Sequence, residues 1–220
     1  MLIDASLNEV ESLAAKAARG AGLAWGMTEE TAKAARWLAA CGLDWAPSLA
    51  ALLANHGSLA IPVPRPSAPL GPAEARQMLS PLATGAYLDD LGAMAGDLTL
   101  PAMAHPLWLL PFAARTAAEI EAAVVLGWAD VSVTVWPFGG DIAGDPASLY
   151  APRTSQVSWN HLQPGATAPV PTLSLNRENR SAVAQTEWQA LAVLGARTYV
   201  PATAISRAKG AGAGSAVDND

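Results

Sequence analysis

Twelve residues, "IPVPRPSAPLGP" at positions 61–72, carry five prolines and set the strongest limit on how this chain folds. Each proline fixes φ near −65° and removes a backbone donor, so the stretch is excluded from a helix interior and from a central strand. It reads as an extended arm between a helical N-terminal part, 1–60, and an α+β part, 73–220, the two forming one compact unit. Nothing marks the arm for display outside the fold, so a connecting role is expected in place of a proline-rich ligand.

Upstream of the arm the periodicity is helical. Ser6 and Glu9 form a capping box, and Leu7, Val10, Leu13, Ala14 and Ala17 fall on one face. Gly20 and Gly22 are expected to stop that helix, and Thr28 to cap a second one with Glu29 and Glu30 at the positive end of its dipole. This second helix runs to Gly42, and a third is expected over 47–54 with Pro47 in its first turn.

Downstream, "PAEARQMLS" and "ATGAYLDDLGAMAG" read as short helices. The pattern then turns to strands: "LTLPAMA", "PLWLLPF", "AAVVLGW", "VSVTVW", "SQVSWNHL" and "APVPTLSLN". "PFGGDIAGDPASLYAP" reads as a loop, and "RENRSAVAQTEWQALAVLGA" returns to helical periodicity. Helices, then clustered strands, then a helix predict an α+β fold: an N-terminal helical hairpin packed on a mostly antiparallel or mixed sheet with a late C-terminal helix.

Composition narrows the function classes. The chain has 220 residues, 51% of them hydrophobic and 15% charged, with a net charge of −6. It lacks the basic stripe of a nucleic-acid binder, so no nucleic-acid partner is expected. No apolar run is long enough to span a bilayer and the N-terminus lacks a basic signal-peptide region, giving an expectation of a cytoplasmic protein without a membrane partner. Eight tryptophans against two phenylalanines point to core packing by large indoles whose N–H groups need partners. Cys41 is the single cysteine; it reads as a small buried hydrophobe, and no disulfide forms within one chain.

No motif names a chemistry. The three histidines, at 56, 105 and 161, are far apart, and no clustered ligand set predicts a metal. His105, before Pro106 in an apolar run, reads as partly buried with its hydrogen bonds satisfied. Nucleophile-elbow, phosphate-loop and strand-linked dinucleotide patterns are absent. Arg177 and Arg180, three apart, would share a helix face and could clamp an anion if the late helix had begun there. Tyr199, Ser206 and Arg207 are followed by alternating glycines, Gly210, Gly212 and Gly214, whose backbone amides could approach an anion. The candidate ligand-binding residues are therefore Arg177, Arg180, Tyr199, Ser206, Arg207, Gly210, Gly212 and Gly214. A small anionic metabolite bound by an accessory or regulatory module is the first functional reading. A small-molecule enzyme with its site around the C-terminal Tyr/Ser/Arg/Gly block and a structural subunit of a complex are the alternatives. Whether the chain is an enzyme, and with which cofactor, is left open; an oligomer is compatible with the sequence.

"SLNEVESLAAKAARGAGLAWG", "LLPFAARTA" and "ARTYVPATAISRAKGAGAGSAVDND" resemble a bacterial family of uncharacterised proteins, the domain of unknown function 3726. The resemblance runs over nearly the whole chain and implies one architecture ending in the Gly/Asp block; it implies no activity. The opening hairpin with "CGLD" also resembles the start of the malate/L-lactate dehydrogenase family that lacks a Rossmann fold. That family carries a catalytic Ser-His-Gly after the hairpin, whereas "GLDWAPSLA" has no histidine and His56 comes a helix later. Catalysis is not carried across.

Overall fold

The structure, a computed structural model, describes residues 1–65, 68–71, 77–163 and 165–199. Its elements run in chain order from β1 (Leu2–Ser6) through α1 (Leu7–Ala21), α2 (Trp25–Ala40) and α3 (Ala46–Asn55). A two-stranded ribbon follows, β2 (Val63–Arg65) and β3 (Ala68–Gly71), then α4 (Pro81–Leu91), β4 (Leu98–Leu100), β5 (Met103–Ala104) and α5 (Leu110–Glu119). The remainder is β6 (Val124–Trp128), β7 (Val131–Trp136), β8 (Gly139–Gly144), β9 (Arg153–Thr154), β10 (Val157–His161), β11 (Leu173–Leu175), β12 (Arg180–Ala184) and α6 (Gln185–Ala196). The class is α+β.

Six strands form an antiparallel sheet in the order β11-β8-β7-β6-β10-β4. Its inner face carries Leu126, Val133, Ile142 and Trp159, all fully buried, and α5 packs against β6 and β7. The helices form the second layer. The two ends of the described chain meet there: β1 pairs antiparallel with β12, from Leu2 opposite Ala184 to Ser6 opposite Arg180. One apolar core runs from Ala5 to Leu191 through helices and sheet alike.

Local chemistry explains both boundaries of α1. The Ser6 hydroxyl accepts from the Glu9 amide while the Glu9 carboxylate accepts from the Ser6 amide, closing the capping box at the start of α1. Gly22 ends α1 at φ 102°, a left-handed conformation that glycine adopts without a Cβ penalty. Gly20, in contrast, remains inside the helix. α2 begins a turn earlier than its sequence signals, at Trp25, so Thr28 is not its cap; the buried Thr28 hydroxyl instead donates to the Leu23 carbonyl at 3.4 Å.

Four further expectations are corrected. "PLWLLPF" is a 3-10 turn leading into α5, not a strand. Its apolar residues are buried on every side, so they carry no period that would separate helix from strand. The loop expected after "VSVTVW" contains β8, whose glycines sit against the neighbouring strand: a Cβ at Gly140 would come 2.6 Å from the Thr134 carbonyl oxygen. The late helix starts at Gln185, and "RSAVA" before it is a strand whose partner is β1, at the opposite end of the chain. Within "PAEARQMLS", Gln77–Ser80 are non-helical and Leu79 bridges Ala60 and Met103.

Four of the eight tryptophans, Trp45, Trp108, Trp128 and Trp159, are buried in the core, whereas Trp25 and Trp136 are exposed. Trp45, Trp108 and Trp159 are fully buried. Trp108 Nε1 donates to Ser48 Oγ at 2.9 Å, Ser48 Oγ to the Trp45 carbonyl at 3.0 Å, and Trp45 Nε1 to Ser181 Oγ at 3.3 Å. This relay satisfies the Trp45 and Trp108 indoles and joins the 3-10 turn before α5, α3 and β12 across the core. Cys41 is also buried, and desolvation pushes its thiol up to about 11 despite the nearby Arg177. Only thiolate reacts readily. We expect Cys41 to resist a chromogenic disulfide reagent at pH 8 in the folded chain and to react with one equivalent in denaturant; rapid labelling of the folded chain would show the site to be open.

Candidate functional site

The described residues from the sequence-based set do not form one cluster. Arg180 opens β12, where its Nε donates to Asp4 Oδ2 at 2.6 Å and a terminal nitrogen to the Asp4 carbonyl at 2.6 Å. Arg177 stacks its guanidinium on the Phe138 ring at 5.5 Å. The helical spacing that would have paired them is absent, because helix begins only at Gln185. Tyr199 stands elsewhere, at the end of α6, and is 63% exposed. Ser206, Arg207, Gly210, Gly212 and Gly214 lie outside the described residues.

Tyr199 does border a cleft. α1 and α6 cross where both helices are narrow. Gly20 faces the Leu194 carbonyl, and a Cβ on Gly195 would come 3.0 Å from Lys16 Cβ. Beside that crossing is a cavity of about 500 Å³ lined by α1 residues including Ser12, Leu13 and Lys16 and by Trp188, Ala192 and Tyr199. Trp188 and Ala192, four apart on α6, share one helix face, and Tyr199 follows three residues past the helix end. The backbone beyond α6 continues in tight turns, with the Thr198 amide on the Gly195 carbonyl and the Tyr199 amide on the Ala196 carbonyl, each at 3.1 Å.

The cleft has one apolar, aromatic wall and one polar wall. Its volume lies within the range of small-molecule sites. Glu9, also on the polar wall, is engaged with Ser6, and that hydrogen bond holds its carboxyl below the usual range, with a lesser contribution from Arg180. Lys16 is exposed and, among the described residues, enters no ion pair, unlike Lys33, Arg36, Arg115 and Arg180. A carboxylate or phosphate near Lys16 could therefore gain a charge-assisted hydrogen bond without first breaking an internal one.

Sequence reasoning missed Lys16, Ser12 and the open side of Trp188. Ser12 and Lys16 do stand four apart on α1, but they read as the ordinary solvated face of an amphipathic helix. What makes them a wall is α6, and the approach of α6 is a tertiary fact. Among the described residues, no group of three His, Cys, Asp or Glu could hold a metal ion. Nor is any described helix long and apolar enough to cross a membrane.

A family model described as "Protein of unknown function (DUF3726)" matches residues 5–80. The match supports that family over α1, α2 and α3; the Gly/Asp closing block lies beyond it. No curated protein matches the chain. Among solved structures, the chain is similar to the crystal structure of malate dehydrogenase from Entamoeba histolytica, at 9% identity and a TM-score of 0.41. The likeness covers 77% of this chain and 51% of that one. The chain thus spans about half the length of that enzyme, and no activity is transferred from it.

Proposed function

We propose that the chain binds a small anionic metabolite in the cleft between α1 and α6, acting as an accessory or regulatory module. The observation that carries this reading is that Lys16, without an ion pair among the described residues, lines the same cleft as Trp188 and Tyr199. The pair suits a ligand with a carboxylate or phosphate at one end and a flat or apolar body at the other. Aromatic rings supply area at low entropic cost, and the ammonium selects charge. Ser12, in the same lining, adds a hydroxyl that can donate to or accept from the ligand.

Binding to the folded state alone raises apparent stability by mass action. A thermal-shift screen of organic acids and phosphorylated metabolites on the full chain tests the reading. Hits are expected that lose their shift in Lys16→Gln and in Trp188→Ala, while Arg36→Gln retains it. A hit unaffected by both cleft substitutions would place the ligand elsewhere, and a screen with anions inert throughout would remove the reading.

A further inference from the structure

A second cavity, of about 290 Å³, lies on the other side of α3, lined by residues that include Leu52, Asn55, Ser58, Met78, His105 and Pro152. His105 is its unusual member. Its backbone stands at φ 42°, ψ 64°, the left-handed region, where a side chain with a Cβ is strained. It also precedes Pro106, a position that disfavours helical conformations of the preceding residue. Two contacts hold it there: its amide donates to the Pro152 carbonyl at 3.0 Å, and its carbonyl accepts from the Trp108 amide at 3.1 Å. Strain of this kind persists where the surroundings over-determine it, and it concentrates at functional sites.

The imidazole itself differs from the other two. His56 Nε2 is 2.7 Å from the Ala21 carbonyl, and His161 Nε2 is 3.5 Å from Trp159 Nε1. The His105 ring is partly buried, as the sequence suggests, and has no hydrogen-bond partner among the described residues. Burial holds it below the ordinary histidine range, so at neutral pH it is uncharged, with one nitrogen free to accept and the other to donate. The polar neighbours lean towards accepting. Ser58 Oγ already donates to the Asn55 carbonyl at 2.8 Å, and Asn55 Nδ2 to the Ala51 carbonyl at 2.9 Å. Ser58 Oγ keeps only lone pairs, while Asn55 keeps its carbonyl oxygen and one N–H. Among the described residues, the lining contains no lysine, arginine, aspartate or glutamate.

We propose that this cavity binds a small uncharged molecule with a hydrogen-bond donor on a compact apolar body, an alcohol, phenol or primary amide, with the His105 imidazole as its principal acceptor. Leu52 and Pro152 supply the apolar contact, and the volume sits at the small end of ligand sites. The described lining offers no countercharge to the anion assigned to the α1–α6 cleft, so the two sites take different ligand classes and stand or fall separately.

Phenol is the probe, with benzoate as its charged counterpart, followed by NMR of the full chain labelled at histidine. Phenol is expected to move the His105 ring signals in a saturable way and to leave those of His56 and His161 in place; benzoate should move none of the three. In His105→Gly, which suits the left-handed backbone, phenol affinity should fall at least tenfold while the thermal midpoint rises or holds. His105→Asn, tolerant of that backbone and still able to accept, should keep part of the affinity. Equal phenol binding in wild type and His105→Gly would overturn the proposal, as would a phenol response absent from His105. A lowered midpoint in His105→Gly would overturn it too, by showing that the ring fills space and is not held for a ligand.

Discussion

Replacing Gly20 with alanine is expected to lower the thermal midpoint by roughly 4–8 °C, the shift that about 2 kcal/mol produces in a chain of this size. Two effects compete. Alanine inside a helix gains up to about 1 kcal/mol over glycine, because glycine loses more backbone freedom on folding. Against this, a Cβ at Gly20 would overlap the Leu194 carbonyl oxygen and lie 2.7 Å from its carbon. Overpacking costs about 1–3 kcal/mol, and the upper end applies because the obstacle is backbone and has no rotamer to change. The helices must therefore separate, and the α1–α6 cleft beside the crossing widens with them. Gly26→Ala is the control: a Cβ there meets nothing within 4 Å, so the midpoint should hold or rise slightly. Equal, small effects at both positions would mean that α1 and α6 do not touch at Gly20.

Arg115→Met is expected to cost about 2 kcal/mol, and the loss should depend on pH. Arg115, on α5, bridges Glu30 of α2 and Asp89 of α4, the latter at 2.7 Å. Its guanidinium also lies over the Phe112 ring at 4.8 Å, and its Nε is buried without a hydrogen-bond partner among the described residues. Removing one member of a fully buried ion pair costs about 3–5 kcal/mol because its partner is stranded. These side chains keep 22–35% of their exposure, so water offsets part of that penalty.

The sign of the pH effect follows from Asp89. Burial raises its carboxyl above the ordinary range even though Arg115 pulls it down. Without Arg115 it rises further. A carboxyl raised in the folded state takes up its proton there before it does in the unfolded chain, so folding is favoured as pH falls through that interval. The variant's deficit should therefore be largest at pH 7 and smaller at pH 5, read as urea midpoints at both. A deficit independent of pH would assign the loss to packing against Phe112 alone.

How much of this was legible in the sequence depended on where the deciding partner lay. The Ser6–Glu9 box and the Gly22 stop were readable because each is completed within a few residues. β7 was readable because Val131, Val133 and Val135 alternate with residues of the other face. The region before α6 was not: Ser181 and Val183 look helical until β1 is available to pair with β12, and no local pattern announces a partner at the opposite end of the chain. "PLWLLPF" failed for a different reason, since burial on all sides erases periodicity. Gly20 looked like a stop signal but is a contact, a distinction that only the position of Leu194 makes. Of the cleft lining, Tyr199 was among the residues singled out from the sequence. Its neighbours Lys16 and Ser12 were not, because their role comes from the crossing helix.

The claim that most needs a direct measurement is that an anion binds between Trp188 and Lys16. With 5-fluorotryptophan in the full chain, the fluorine signals can be assigned by single Trp→Phe substitutions and followed while 3-phenylpropanoate is added. The account predicts a saturable shift at Trp188, none at the buried Trp108 or Trp159, and loss of that shift in Lys16→Gln. A Trp188 signal that stays fixed to saturating probe, or that moves equally in Lys16→Gln, would contradict it.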